Sequence, residues 1–425
     1  MERKFFKAEL LLCPTCCHPY EHRATYKPLY AVREEHTDVL TDRPDLQLKL
    51  VQIFFRHGAR TPIRLTPGVE EVVWDKDTMF IEEDYLKCDY DVYSLDGKSG
   101  PHHSVIEESY QQATTYKGGA HRGQLTTLGM NQTYELGTYF RKHYIEKLKF
   151  LSPKFNYSDM YLRSTNVKRN LKSMSCVLAA MYGEDLKTNQ NGLPRVHVDH
   201  ESTEILYPNY VHCKPLMDSY FSTTKNTDVV PGIRPIRLQV QELLDQDPDK
   251  IHLDLVSVRD GISARQAHDF PLSPVLEPIA GIVEKAAVDI MKHCIAGADQ
   301  SRDNLPYSVG PLLSLIVDNV HRAITGESPY KFHLHSCHDT TLMPLLMAVG
   351  SFDDTWPGLC SDFIVEMYQD RDGRPYVRNL YLGKELRLGP KGTSILTLEE
   401  FKELLRPCFI TQEDFRKTLI NVGTY

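Results

Sequence analysis

The most regular apolar run in the chain covers residues 48–55, LKLVQIFF, where all but two positions are hydrophobic. Such a run predicts a strand that is buried on both faces of a parallel sheet. A polar loop, RHGARTP at residues 56–62, follows at once, and its Gly and Pro indicate a sharp change of chain direction. The sequence therefore places charged side chains directly at the end of a buried strand.

A second strand, at residues 160–162, also ends in a charged loop, which begins at Arg163. Behind the loop, apolar side chains from Val167 to Met181 recur at helical spacing, and Gly183 provides a stop signal. This pattern predicts a strand, a turn and a helix that ends at Gly183.

A third strand, at residues 330–336, has alternating polar and apolar positions and leads to His338 and Asp339. Another helix is predicted from there to Gly350. Earlier in the chain, apolar residues at helical spacing follow Thr126 and Thr127, either of which can cap the start of a helix. Three strands that end in charged loops are thus each associated with a helix.

The remaining pattern defines the expected architecture. Residues 185–325 read as short amphipathic pieces broken by prolines, which predicts a largely helical insertion, and the Asp-Gly turn at 372–373 predicts a hairpin. We predict an α/β fold with a mostly parallel central sheet flanked by helices and an inserted helical cap subdomain. The predicted parts are an N-terminal segment at 1–44, a core at 45–184 and 326–425, and the cap at 185–325.

Composition and charge narrow the class of protein. The 425 residues include 41% hydrophobic and 25% charged residues, which supports a sizeable core and excludes a disordered chain. A formal net charge of −8 gives no general positive field for nucleic acid or an anionic membrane. No run approaches the roughly 18 apolar residues of a spanning helix. We expect a globular protein without a transmembrane segment, in which a local cluster of cations binds any anionic ligand.

The charged loops supply such a cluster. In an open α/β sheet the carboxyl ends of the strands converge on the ligand crevice. Several guanidiniums facing one point repel one another unless an anion lies between them, and a phosphoryl group matches their planar geometry best. The candidate site residues are Arg56, His57, Arg60, Arg163, His338 and Asp339.

These residue types predict phosphoryl transfer through a histidine. His57 is the expected nucleophile, giving a phosphohistidine, and His338 is expected to hydrogen-bond a phosphoryl oxygen. Asp339 is the expected proton donor to the leaving oxygen. Arg56, Arg60 and Arg163 are expected to neutralise the phosphoryl group in place of metal ions, so no metal and no other cofactor is predicted.

The motifs resemble those of the histidine acid phosphatase branch of the histidine phosphatase superfamily. The matching motifs are Arg-His-Gly-Ala-Arg-Thr-Pro at 56–62, Gln-Leu-Thr-Thr-Leu-Gly at 124–129, Arg-Ser-Thr at 163–165 and His-Asp at 338–339. The resemblance implies an α/β core with a helical cap, a phosphohistidine intermediate and no metal. It implies the same roles for the six residues: His57 attacks, Asp339 donates the proton, and the other four bind phosphate.

Within that family, further residues resemble members that hydrolyse lysophosphatidic acid to monoacylglycerol and phosphate. They include Leu-Tyr-Pro-Asn-Tyr at 206–210, Pro-Leu-Leu-Met at 344–347 and Trp-Pro at 356–357. The resemblance implies a small phosphomonoester substrate, expected to be a lysophospholipid, and a mitochondrial location. No transit peptide is evident before residue 45, so a cytoplasmic or secretory location is the alternative. A monomer is expected.

Other functions fit parts of the pattern. A broad-specificity or inositol-phosphate acid phosphatase of the same family would need extra cations near the loops, whereas residues 64–118 are dominated by acids and Tyr. A mutase shares phosphohistidine chemistry, but the long helical insertion and the carboxylate at Asp339 favour hydrolysis. A phospholipid-binding protein without catalysis would not need a nucleophile and an acid together.

Overall fold

A mixed β-sheet forms the centre of the molecule. The computed structural model describes residues 33, 43–95, 104–113, 115–188, 192–298 and 302–420, and nine strands within these ranges join one sheet. In chain order they are β1 (Gln47–Arg56), β2 (Asp91–Ser94), β3 (Met160–Ser164), β4 (Arg195–Val198), β5 (Phe332–Cys337), β6 (Asp362–Gln369), β7 (Pro375–Tyr381), β8 (Lys384–Glu385) and β9 (Ile395–Thr397).

The sheet has a parallel half and an antiparallel half. Its order is β2-β4-β3-β5-β1-β6-β7-β8, and β9 pairs with β7. The strands from β2 to β1 are parallel, whereas the pairings from β1 to β6 and onward are antiparallel. The predicted α/β class with a central sheet flanked by helices is confirmed, and the parallel half carries the charged loops.

Helices cover the sheet and extend beyond it. Thr126 caps the second of them, as predicted, by accepting a hydrogen bond from the backbone N–H of Gly129, and this helix continues as a π-helical segment, Arg141–Lys147. The α-helices are α1 (Val105–Gln112), α2 (Thr127–Phe140), α3 (Lys168–Thr188), α4 (Lys214–Lys225), α5 (Ile233–Leu243), α6 (Leu255–Ala267), α7 (Ala280–Ala296), α8 (Leu305–Thr325), α9 (Asp339–Ala348), α10 (Leu398–Leu405) and α11 (Gln412–Thr418).

Alternation along β1 gives the sheet a core on each face. Leu50 and Phe54 point to the face covered by α8, α9 and α10. Val51, Ile53 and Phe55 point to the face covered by α2 and α3. All five side chains are fully buried, which explains why this strand reads as a nearly continuous apolar run.

The structure corrects the predicted cap range, 185–325. β4 lies within that range but pairs with β2 and β3 in the central sheet. α8 also lies within it, yet its Leu312 packs in the cluster that contains Leu50 and Phe54. The helical insertion is therefore formed by α4 to α7, of which α5, α6 and α7 share an apolar cluster of their own.

Two local predictions had different outcomes. The predicted hairpin is confirmed, because β6 and β7 pair in an antiparallel register across the Asp-Gly turn. Helix α3, in contrast, does not end at Gly183 but continues to Thr188. Its last turn carries Asp185, which accepts a 2.7 Å hydrogen bond from the backbone N–H of Phe155. A tertiary contact thus holds the helix together beyond a local stop signal.

Two further predictions concern a transmembrane segment and the N-terminal segment. No helix in the part of the chain that the structure describes is both long and apolar enough to cross a bilayer. The predicted N-terminal segment, 1–44, lies almost entirely outside the described residues, so its role stays a prediction.

Candidate active site

The ends of β1 and β5 lie side by side and bring two histidines together. The strands are parallel neighbours in which Arg56 is in register with Cys337. The next residues, His57 and His338, have ring centroids 5.7 Å apart and ring planes at 74°. Because parallel strands end at the same edge of a sheet, the approach of these loops follows from the strand order.

His57 is a buried, neutral imidazole. Its Nδ1 lies 2.9 Å from the carbonyl oxygen of Gly58, and since a carbonyl can only accept, Nδ1 carries the proton. The other nitrogen, Nε2, is left with its lone pair. Burial and the charges of three nearby arginines, first Arg169, hold the pKa of His57 well below its ordinary value. The ring is therefore available as a nucleophile at neutral and mildly acidic pH.

His338 is also buried and connects the ends of β3 and β5. Its Nε2 lies 3.0 Å from the hydroxyl of Thr165, in the loop after β3. Burial, and then nearby guanidiniums, lower the pKa of His338 to about 3. The Nε2 of this neutral ring is thus placed to form a hydrogen bond with an oxygen atom. A phosphoryl oxygen of a substrate that took the position of the Thr165 hydroxyl could form the same bond.

Asp339, the first residue of α9, is a carboxylate with several fixed partners. Its Oδ2 lies 2.8 Å from Nη2 of Arg56 and accepts a 2.9 Å hydrogen bond from the indole Nε1 of Trp356. Its Oδ1 accepts a 2.8 Å bond from the backbone N–H of Thr340. Burial raises the pKa of Asp339, but Arg56 and the Trp356 bond outweigh burial and lower it below its ordinary value.

Two glycines fix the loop after β1 against the start of α2. A Cβ on Gly58 would lie 2.1 Å from the carbonyl oxygen of Gly129, and a Cβ on Gly129 would lie 2.1 Å from that of Ala59. The backbone of Ala59 also donates a 2.9 Å hydrogen bond to the side chain of Gln132. Only glycine permits so close an approach of the two backbones, which places His57 relative to α2.

Arg60 lies between the loop and the helical insertion. Its guanidinium is 2.9 Å and 3.3 Å from the two carboxylate oxygens of Asp260, in α6. Asp260 also accepts a 2.7 Å hydrogen bond from the backbone N–H of Ile63. Sequence reasoning did not identify Asp260, since an acid within a predicted amphipathic helix carries no local sign of its partner.

Arg163 lies beside two acids in the structure, and its predicted role in binding phosphate stays a prediction. This residue is in β3, and its Nη2 lies 2.8 Å from Glu204 and 3.7 Å from Asp199. Glu204 is only 1% exposed, and it also accepts hydrogen bonds from the backbone N–H groups of Ile205 and Leu206. A buried carboxylate needs a counterion, so Arg163 is held by Glu204 and does not line the cleft.

Arg169, which the candidate set did not include, takes that place in the cleft. It lies in the first turn of α3, and its Nε and Nη1 are buried with no hydrogen-bond partner among the described residues. The Tyr110 ring lies beneath its guanidinium carbon at 5.5 Å. A cation at a helix N-terminus opposes the helix dipole. An arginine in the first turn of a predicted helix is therefore the sequence signal that could have suggested a bound anion, and the structure adds that this arginine is buried.

The sequence is similar to known phosphatases along most of its length. The family model of the histidine phosphatase superfamily (branch 2) matches residues 47–240. Lysophosphatidic acid phosphatase type 6 of Homo sapiens and that of Bos taurus are each 36% identical over 350 residues, covering 81% of this chain and 79% of theirs. The chain belongs to the histidine phosphatase superfamily. It is a phosphomonoester hydrolase, and the resemblance found in its loops is confirmed.

A further relative is similar in sequence, and two solved structures are similar in fold. Prostatic acid phosphatase of Rattus norvegicus is 26% identical over 377 residues, covering 85% of this chain and 86% of its own. The multiple inositol polyphosphate phosphatase of Bifidobacterium longum, in complex with inositol hexasulfate, has a TM-score of 0.56 at 12% identity, covering 91% and 99%. The phytase of Citrobacter braakii has 0.53 at 14%, covering 86% and 98%. At these identities the structures establish the fold alone.

The cleft of this histidine phosphatase has a volume of about 330 Å³ and two kinds of surface. Its floor carries His57, Arg60, Arg169, His338 and Asp339. Its wall is mostly aromatic and aliphatic, with polar side chains such as Asp254 and Ser257 among them. The apolar and aromatic side chains in it include Ile63, Ile106, Tyr110, Tyr207, Tyr210, Tyr220, Val256 and Met291. Arg56 lies just behind the floor, where with Arg60 it lines a small adjoining cavity.

The phosphatase pocket carries surplus positive charge. The guanidiniums of Arg56, Arg60 and Arg169 are accompanied by the carboxylates of Asp260 and Asp339, so three positive groups face two negative ones. A tetrahedral anion placed between them would be neutralised by charge-assisted hydrogen bonds. The neutral His57 lies at the same floor, so the pocket can hold a phosphoryl group within reach of a nucleophile.

Proposed function

We propose that this chain is an acid phosphatase that hydrolyses lysophosphatidic acid to monoacylglycerol and phosphate through a phosphohistidine. The observation that carries the proposal is the single cleft with a cationic floor and an apolar wall. The floor suits one phosphoryl group and the wall suits an acyl chain. The relatives that are 36% identical carry the name of lysophosphatidic acid phosphatase, which supports the same substrate.

In the first step the phosphoryl group lies among the guanidiniums of Arg56, Arg60 and Arg169. His338 hydrogen-bonds one of its oxygens. The lone pair on Nε2 of His57 forms a bond to phosphorus while the bond to the leaving oxygen breaks, which gives a phosphohistidine. The proton on Nδ1 stays on that nitrogen and is donated as a hydrogen bond to the Gly58 carbonyl oxygen, which holds the ring in the attacking tautomer.

Asp339 is the proposed proton donor, although it rests as a carboxylate. Below about pH 6 a phosphate monoester retains one proton, and this proton passes to Asp339 as the resulting dianion binds the arginines. Asp339 then donates it to the leaving alkoxide, which becomes the hydroxyl of monoacylglycerol.

The second step returns the enzyme to its starting state. Asp339, now a carboxylate, takes a proton from a water molecule whose oxygen attacks phosphorus. The bond between phosphorus and His57 breaks, and its electron pair returns to Nε2. Asp339 passes the proton to the departing phosphate, which leaves as dihydrogen phosphate, so Asp339 is again a carboxylate. Substrate and water together supply every proton that the two steps need.

The charges along the wall favour a substrate with one phosphate and an apolar remainder. Two further arginines reach the cleft, but Arg64 is paired with Asp254 at 3.3 Å and Arg259 with Glu284 at 2.7 Å. Each of these two pairs is neutral as a unit, so neither adds surplus positive charge to the cleft for a second phosphate. An inositol polyphosphate is therefore the less favoured substrate.

The proposal is tested by phosphate release from lysophosphatidic acid, an aryl phosphate and inositol hexakisphosphate, with and without a chelator. We expect the lysophospholipid to give the highest kcat/KM and the chelator to have no effect. Preference for inositol hexakisphosphate would contradict the substrate, and loss of activity in chelator would contradict the metal-free mechanism.

The His57→Ala variant distinguishes an enzyme from the alternative, a phospholipid-binding protein without catalysis. A binding protein would release no phosphate in either form and would bind lipid equally well. An enzyme loses phosphate release in the variant, and an alkaline quench of the wild type with ³²P-labelled substrate should leave ³²P on a histidine, because the phosphorus–nitrogen bond survives in alkali. A mitochondrial location and a monomeric state are proposed with the function and rest on the resemblance.

A further inference from the structure

The two oxygens of the Asp339 carboxylate have different surroundings. Oδ2 is bonded to both Arg56 and Trp356, at 2.8 and 2.9 Å, which occupies both of its lone pairs. Among the residues that the structure describes, Oδ1 has one hydrogen-bond partner, the backbone N–H of Thr340, at 2.8 Å. A carboxylate oxygen accepts two hydrogen bonds, so Oδ1 is the oxygen with a lone pair left for a proton.

The indole of Trp356 is itself fixed by a charged side chain. The guanidinium carbon of Arg259 lies 4.3 Å from the ring centroid, a short cation–π distance. Trp356 is 7% exposed and Arg259 is 4% exposed, so both groups are shielded from water. The ring therefore holds an arginine on its face and Asp339 at its edge, and it cannot rotate without losing one of them.

Arg259 is in turn fixed by an acid in the neighbouring helix. Its Nε lies 2.7 Å from Oε2 of Glu284, and its Nη2 lies 3.2 Å from Oε1. This paired geometry fixes the plane of the guanidinium. Arg259 is in α6 and Glu284 is in α7, which pack together. A chain of contacts thus runs from the helical insertion to the carboxylate in the core.

We propose that Trp356 and Arg259 are positioning residues for the proton donor Asp339. They orient the carboxyl so that Oδ1 faces the leaving oxygen and carries the transferred proton. The proton moves from Oδ1 to the leaving oxygen as the phosphorus–oxygen bond breaks, and Oδ1 later accepts a proton from the attacking water. The inference rests on the proposed function and deepens it.

The same contacts set the protonation of Asp339 in the complex. The charged or titratable groups that act on it are Arg56 and Arg60 from the loop after β1, Arg259 from α6, and the adjacent His338. The Trp356 N–H donates to Oδ2 more strongly when the carboxyl is ionised than when Oδ1 carries a proton. Its removal therefore makes the protonated form easier to reach while releasing the carboxyl from its orientation.

The experiment compares an alkyl and an aryl phosphate, because an aryl oxide leaves readily without a proton. Trp356→Phe keeps a ring beneath Arg259 but removes the N–H donor. We expect kcat/KM, which reports the steps through phosphorylation and not dephosphorylation, to fall about 10- to 100-fold for the alkyl substrate, as for a misplaced catalytic group, and to change less than about threefold for the aryl substrate. The descending limb of the kcat–pH profile for the alkyl substrate should move to higher pH.

Arg259 provides a second, independent variant. Arg259→Met should reproduce the selective loss on the alkyl substrate, and Arg259→Lys should restore part of it because an ammonium group also binds an indole face. Trp74→Phe is the matched control. Trp74 is the only other tryptophan in the chain and packs against His268 and Phe270; its replacement should affect both substrates alike.

The outcomes separate this inference from the proposed function. Equal losses on both substrates in Trp356→Phe and Arg259→Met, or no loss on either, would overturn the positioning role while leaving the phosphatase intact. A wild-type protein that releases no phosphate from either substrate would overturn the proposed function and this inference with it.

Discussion

Arg163 and Arg169 have the same charge but different partners. Arg163 neutralises the buried Glu204. Arg169 lines the cleft and has two buried nitrogens without a hydrogen-bond partner among the described residues. Glu204 also receives the backbone N–H groups of the segment that leads to Tyr207. We therefore expect Arg163 to stabilise the fold and the cleft wall, and Arg169 to bind the phosphoryl group.

Substitution by methionine should separate these two roles. Arg169→Met should lower kcat/KM about 10²- to 10³-fold and weaken inhibition by inorganic phosphate, with little change in the melting temperature. Arg163→Met should lower the free energy of unfolding by about 3–5 kcal/mol because it leaves a buried carboxylate unpaired, and Glu204→Gln in the same chain should recover part of that loss. Equal phosphate inhibition constants in wild type and Arg169→Met would refute the assignment.

The lowered pKa of Asp339 predicts how activity depends on pH. Because Arg56 and Trp356 outweigh burial and keep this group ionised, the free enzyme brings no proton to the reaction. The substrate supplies it, and a phosphate monoester loses its second proton near about pH 6. For an alkyl phosphate, kcat/KM should be highest below that pH and fall about tenfold per unit above it. Steady-state assays across this range would contradict the idea by giving a flat profile.

At the scale of elements, close contact between two backbones sets the position of the nucleophile. Gly58 and Gly129 meet where the loop after β1 crosses the first turn of α2. The contact has no side chain to adjust, so a single added methyl group must move one element against the other. His57 is next to Gly58 and moves with that loop.

Gly129→Ala should therefore injure both stability and catalysis. A Cβ placed 2.1 Å from the Ala59 carbonyl is expected to cost about 1–3 kcal/mol of unfolding free energy, and kcat should fall with it. Gly183→Ala is the control within α3, since nothing lies within 4 Å of its added Cβ. That variant should melt slightly higher than wild type at unchanged kcat. A Gly129→Ala enzyme that matched wild type in both measurements would show that the contact is unimportant.

At the scale of the whole molecule, the buried histidines link stability to pH. Burial lowers the pKa values of His57, His333, His335 and His338, to about 3 for His333 and His338. In the unfolded chain each has its ordinary pKa near about 6.5. Between the folded and unfolded pKa values the unfolded chain binds more protons, so stability rises with pH and is lost on acidification below that value.

The free energy of unfolding, measured by urea denaturation, should thus fall between about pH 7 and about pH 5. His333→Gln removes one of the four groups at a site outside the cleft and should reduce the slope by up to one proton. A wild-type protein with the same unfolding free energy across this range would contradict the prediction. At the acidic pH where we expect the highest activity, the free energy of unfolding is therefore lower than at neutral pH.

Much of the fold and part of the site can be predicted from the sequence alone. The apolar run of β1 predicts a buried central strand, because a strand that is buried on both faces needs apolar side chains at nearly every position. Arg56, His57, Arg60, His338 and Asp339 were predicted because they directly follow strand signals. The family is also evident at this level, since these loop motifs are continuous in sequence.

Only the tertiary structure decided which distant groups pair. Arg163 and Arg169 are equivalent as residue types, and the choice between them depends on Glu204, which reaches β3 from another part of the chain. Asp260 and Trp356 likewise acquire their roles through partners far away in sequence. The physical reason is that hydrophobic periodicity is local, whereas a buried charge is neutralised by whichever opposite charge the packing of separate elements brings within a few ångströms.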